Sequence, residues 1–149
     1  MSVFRLSARR GAVVRALIVA TLTLAGVANA AVAGEFPYDQ DFLLDVAPMR
    51  PLKRVPMLNV AGDGNIRINL WCQTLAGRAQ ISDSAMHIEP GPLPSSPPRY
   101  MMDGQCTPQR MDADLATLTA LTQVTAWRRE GRILVLTGPT TMKFSPSDH

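Results

Sequence analysis

Between Ile66 and Cys72 every second residue is apolar: Ile66, Ile68, Leu70 and Cys72 alternate with Arg67, Asn69 and Trp71. Period two is the spacing of a strand that lays one face on a core. Just before it, Gly62-Asp63-Gly64-Asn65 supplies residues that tolerate positive φ. Met57 to Val60 is therefore predicted to pair with Ile66 to Gln73 as a hairpin. Short apolar runs follow at Arg78 to Ile81 and Ala85 to Glu89, separated from each other by Ser82-Asp83-Ser84. Pro90, Pro92, Pro94, Pro97 and Pro98 then rule out regular pairing and predict a surface loop.

After Cys106 the period shifts toward 3.6. Thr107-Pro108 combines an N-cap hydroxyl with proline at the first helical position. Met111, Leu115, Leu118 and Leu121 make the predicted apolar stripe of a helix ending near Gln123, and Asp112 and Asp114 read as surface charges that compensate its dipole. Val124 to Arg129 and Arg132 to Thr137 read as a hairpin about Glu130-Gly131, and Thr141 to Ser145 as a last short strand. The predicted fold class is α+β, mainly β: a small, curved antiparallel sheet or barrel-like fold with one packed helix, its interior filled by Ile66, Ile68, Leu70 and Val135. Residues 34–56, with Tyr38 and Phe42 one helical turn apart and Pro48, Pro51 and Pro56 behind them, read as an N-terminal arm before a domain at 57–149.

Residues 1–33 follow the grammar of a secretory signal peptide. Arg5, Arg9, Arg10 and Arg15 precede an apolar run of twelve residues, Ala16 to Val27, and Ala28-Asn29-Ala30 and Ala31-Val32-Ala33 both fit a small-x-small cleavage site. The run falls short of the roughly 20 apolar residues of a membrane span. Export to the periplasm or beyond is expected, with no stable membrane anchor after cleavage. Four of the 15 basic residues leave with the signal, so 11 face 12 acidic residues and the mature charge is −1. The pI of about 9.3 belongs largely to the discarded segment, and nucleic-acid binding is not expected. In an exported chain two cysteines favour a disulfide, here Cys72–Cys106. Closing that loop of about 35 residues is worth roughly 3 to 4 kcal/mol in the chain-entropy model.

The residues offer little chemistry. There is no Gly-x-Ser-x-Gly elbow, phosphate-binding glycine loop or His-Glu-x-x-His, and the histidines, His87 and His149, stand apart. Asp39-x-Asp41 lacks the glycine and terminal Glu of a calcium loop. The seven mature methionines, including Met101-Met102, form no Met-x-x-Met ladder. No catalytic residue, cofactor or metal is expected. Alternation puts Trp71 on the face opposite Leu70 and Cys72, where it is either a partner-contact site or is covered by the helix, the arm or the proline loop.

Leu70-Trp71-Cys72, then Cys106, Asp114-Leu115, Leu118, Leu121, Val124-Thr125-Ala126-Trp127, Gly131, Leu134-Val135-Leu136 and Phe144 together resemble the META domain family, also called HslJ-like. The similarity runs over roughly Leu58 to Pro146, with Gln73 where the family usually has Asn and Met101 to Gln105 replacing the common Thr-Arg-Met-Ala. The resemblance implies a small barrel-like fold in the bacterial envelope, an association with stress tolerance, and no enzymatic activity. The expected function is a non-catalytic envelope protein acting through contacts with an envelope protein. The alternative is a small-molecule or lipid carrier that uses a barrel cavity.

Overall fold

The computed structural model describes residues 34–51, 53–95 and 104–148. The segment 1–33, expected to be a signal peptide, and the Met101-Met102 pair lie outside them. Eight strands run β1 (Asp41–Leu44), β2 (Met57–Val60), β3 (Asn65–Asn69), β4 (Thr74–Ile81), β5 (Met86–Pro90), β6 (Ala126–Glu130), β7 (Ile133–Thr137) and β8 (Met142–Pro146), with one helix, α1 (Pro108–Thr122), between β5 and β6. They form one antiparallel sheet in the order β5-β4-β3-β2-β1-β8-β7-β6. Its two edges approach each other: Ala85 bridges Ala126, the Met86 N–H donates to Thr125 O at 3.1 Å, and the Trp127 N–H donates to Ser84 O at 2.9 Å. The result is a nearly closed barrel with one helix, in the fold class expected from the sequence.

The expected β2–β3 hairpin forms, with Met57 opposite Asn69 and Val60 opposite Ile66. The inward positions, Leu58, Val60, Ile66 and Ile68, are all buried. On the outer face Asp41, Asn59 and Arg67 stand side by side across β1, β2 and β3. Asn59 Nδ2 donates to Asp41 Oδ1 at 2.7 Å and Arg67 Nη2 lies 3.4 Å from the same oxygen. This polar ladder holds the register of three strands from the solvent side, which accounts for Asp41 without calcium. The close β4–β5 packing requires Gly77, where a Cβ would lie 2.5 Å from Glu89 O and 2.9 Å from Pro90 Cα.

Three expectations are corrected. The segment 34–56 is not an arm outside the barrel: β1 pairs with both β2 and β8 and joins the two halves of the sheet. Its Phe42 and Leu44 alternate inward, and Phe36 joins the same core. Strand β3 ends at Asn69, and the chain turns back through Leu70–Gln73, with the Leu70 N–H donating to Gln73 O at 2.7 Å. Alternation therefore stops before Trp71. On β7 it is Leu134 and Leu136, paired with Phe144 and Met142 of β8, that enter the barrel core, while Val135 is buried outside that cluster.

Candidate functional site: the barrel end and the seam

The helix begins as its sequence dictates, with Thr107 as N-cap, its Oγ1 accepting from the Arg110 N–H at 3.3 Å, and Pro108 in the first turn. Its buried face is not the predicted one. Met111 and Leu115 are 43% and 55% exposed, Leu118 is half-buried against the core, and only Leu121 of the expected stripe is fully buried. The fully buried residues in the first half of α1 are Arg110 and Asp114, while Asp112 is exposed.

The turn after β3 explains this inversion. A tight turn against the barrel end points backbone N–H groups into the interior, where each needs an acceptor. Asp114 supplies it: Oδ1 accepts from the Trp71 N–H at 2.6 Å and Oδ2 from the Cys72 N–H at 3.0 Å. Burial pushes the Asp114 carboxyl above the usual carboxylate range; the N–H groups of Cys72, Trp71 and Gln73 and the charge of Arg110 oppose that rise. Asp114 is thus a structural acceptor inside the fold and not the surface charge expected from sequence.

Arg110 completes the cluster. Its Nη1 donates to Gln105 O at 2.6 Å, and its guanidinium lies 5.9 Å from the centre of the Trp71 ring. Its Nε and Nη2 are buried without a hydrogen-bond partner, as is Gln73 Oε1. Trp71 is itself buried, so it is not an exposed partner-contact residue. The same cluster brings the two predicted cysteines together. Cys72 is buried, Cys106 is half-buried one residue before the helix cap, and the two are a close pair of free thiols. Burial pushes the Cys72 thiol up to about 12; contact with Cys106 and the charge of Asp114 act in the same direction.

A second feature lies where the barrel fails to close. A groove of about 510 Å³ is lined by residues that include Ile81, Ala85, Met86 and Val124. A neighbouring one of about 430 Å³ shares Ile81 and Ser82 and reaches Phe36, Tyr38 and Trp127. Phe36 packs edge-on against Trp127 with ring centres 4.9 Å apart, and the indole N–H donates to Ser82 O at 2.9 Å. His87 sits at the rim of the larger groove, exposed, with Nε2 3.6 Å from Glu89 Oε1. Among the described residues no group of three or more His, Cys, Asp or Glu is placed to hold a metal. No described helix is long and apolar enough to cross a membrane.

No family model and no curated protein matches the chain. Among solved structures it is similar to a DUF4847 family protein from Bacteroides vulgatus ATCC 8482, with a TM-score of 0.45 and 17% identity. That similarity covers 60% of this chain and 57% of the other, less than two thirds of its length.

Sequence reasoning missed Asp114 and Arg110 as interior residues. The partners of Asp114 are backbone N–H groups, which carry no sequence signature. The one available signal is their spacing: positions 110, 114 and 121 share a helix face with half-buried Leu118.

Proposed function

We propose that this is a non-catalytic, exported protein of the META (HslJ-like) type that supports envelope integrity or stress tolerance through protein contacts made at the seam between β5 and β6. The observation that carries the reading is the use to which the buried polar groups are put. Both oxygens of Asp114 accept from the backbone of the turn, at 2.6 and 3.0 Å, which gives this buried carboxyl a structural role. The seam supports the contact role, since it joins two grooves through shared residues and presents Tyr38 and Ile81 beside incompletely paired strand edges.

The test is complementation of an envelope-stress defect in a strain that lacks the protein. His87→Ala and Asp112→Asn are expected to complement fully, and Ile81→Arg, at the junction of the two grooves, to fail while remaining folded and exported. Loss of complementation by His87→Ala in folded protein overturns the non-catalytic reading.

A second reading, a carrier, is favoured by the size of the larger groove, since about 510 Å³ exceeds the roughly 300 Å³ at which small-molecule sites begin. The barrel interior is occupied by Leu58, Ile68, Leu136 and Phe144, so a ligand would bind at the seam rather than inside. Recovery of a lipid or metabolite with the native protein, lost in Ile81→Arg, supports the carrier over the contact role.

A further inference from the structure

We infer that Cys72 and Cys106 form a redox latch on the seat of α1: the disulfide fixes the start of the helix over the barrel end, and its reduction lets that half of the helix lift. This goes beyond the contact role and does not depend on it.

Three observations meet here. Cys72 lies in the turn after β3 and Cys106 directly precedes the helix cap, and the two thiols are close neighbours, so a bond between them ties the helix start to that turn. The first half of α1 is seated by polar groups rather than by apolar burial, since Arg110 and Asp114 are inside while Met111 and Leu115 face solvent. That polar seat is incomplete, with Arg110 Nε, Arg110 Nη2 and Gln73 Oε1 buried and unpartnered. Each such group loses hydration without compensation and regains it when the helix lifts. Apolar burial at Leu121 and the capped end at Gln123 hold the other half in place. A helix anchored by apolar burial at one end and left with unpartnered buried polar groups at the other is the kind of element that opens locally.

Closing the latch is thiol–disulfide exchange with a disulfide donor, such as oxidised glutathione. The half-buried Cys106, as thiolate, attacks one donor sulfur, breaking the donor S–S bond and releasing one thiol. Cys72 then gives up its proton and displaces the second donor thiol from the mixed disulfide. Two protein thiols are oxidised to one disulfide, and one donor disulfide is reduced to two thiols. A dithiol reductant reverses the sequence.

Arg110 provides the readout, because trypsin reaches the bond after a fully buried arginine only when the helix lifts. Purified mature protein would be prepared in oxidised glutathione and in a dithiol reductant, with the Cys72→Ser/Cys106→Ser double variant as a form that cannot close the latch. Cleavage after Arg110 is expected to be at least about tenfold faster in the reduced protein and the double variant than in the oxidised protein. Cleavage after Arg132, exposed next to the β6–β7 turn, should proceed at the same rate in all three and reports that the barrel stays folded. Equal rates after Arg110 in oxidised and reduced protein overturn the latch. So does a mass showing that both thiols persist in oxidised glutathione.

Discussion

Cys72 is held in a place where its thiolate has little water to solvate it. The Cys106 thiol and the Asp114 charge add to that penalty, and only Arg110 acts against it, so the thiol is pushed from 9.0 up to about 12. A folded-state value above the unfolded one means that the neutral thiol favours the fold. This contribution is fully present below pH 9 and is lost as pH rises toward about 12, because the unfolded chain ionises first. The reduced protein should therefore lose stability across that alkaline window more steeply than Cys72→Ala, measured as the denaturant midpoint at successive pH values. Superimposed profiles for the two reduced proteins would show that Cys72 is not held neutral by its surroundings. The same burial leaves Cys106 as the thiol that meets reagents first, so a maleimide should label it well before Cys72.

Helix α1 carries the largest difference between pattern and structure. Its apolar residues at 111, 115, 118 and 121 suggest the inward face, but the turn at Leu70–Gln73 needs an acceptor and the helix rotates to bring Asp114 to it. Truncating Asp114 to alanine leaves the Trp71 and Cys72 N–H groups buried without an acceptor and Arg110 without its compensating charge. The expected cost is about 3 to 5 kcal/mol. Leu115→Ala, at a position 55% exposed, should change stability by less than about 0.5 kcal/mol. Chemical denaturation of the pair decides which face is inside; a larger loss for Leu115→Ala would return the helix to the apolar-stripe orientation. The strands were more readable. β2, β3, β6 and β7 announce themselves because one face is apolar and the turns between them carry Gly64 and Gly131, both at positive φ. β1 is not readable in this way: four residues flanked by acidic and proline-rich sequence show little alternation, and Phe42 and Leu44 become inward residues only once β2 and β8 lie on either side. The polar cluster at the barrel end was half readable. Its cysteines could be paired from their number and the signal-like grammar of residues 1–33, whereas the buried acid and base follow only from where the backbone turns.

At the scale of the whole molecule, the barrel is continuous everywhere except between β5 and β6, where a single bridge and two flanking backbone hydrogen bonds stand in for a ladder. A sheet opens first where fewest bonds must break together, so the seam should have the lowest local unfolding free energy of the strand pairs. Amide hydrogen exchange should be faster at Met86 and Trp127 than at Leu134 and Leu136, which lie in β7 between two full partners. The Trp127 side chain contributes to the closure through its indole N–H on Ser82 O, at 2.9 Å, and through its edge contact with Phe36. Trp127→Phe keeps a ring in that place and removes the donor. It should therefore quicken exchange at Met86 and at position 127 while leaving the β2–β3 hairpin, across the barrel, unchanged. If the contact role at the seam is right, the same variant should also weaken partner capture, because the two grooves meet at Ser82. Uniform acceleration throughout the barrel would instead mean that the sheet opens as one cooperative unit, with the seam no weaker than any other strand pair.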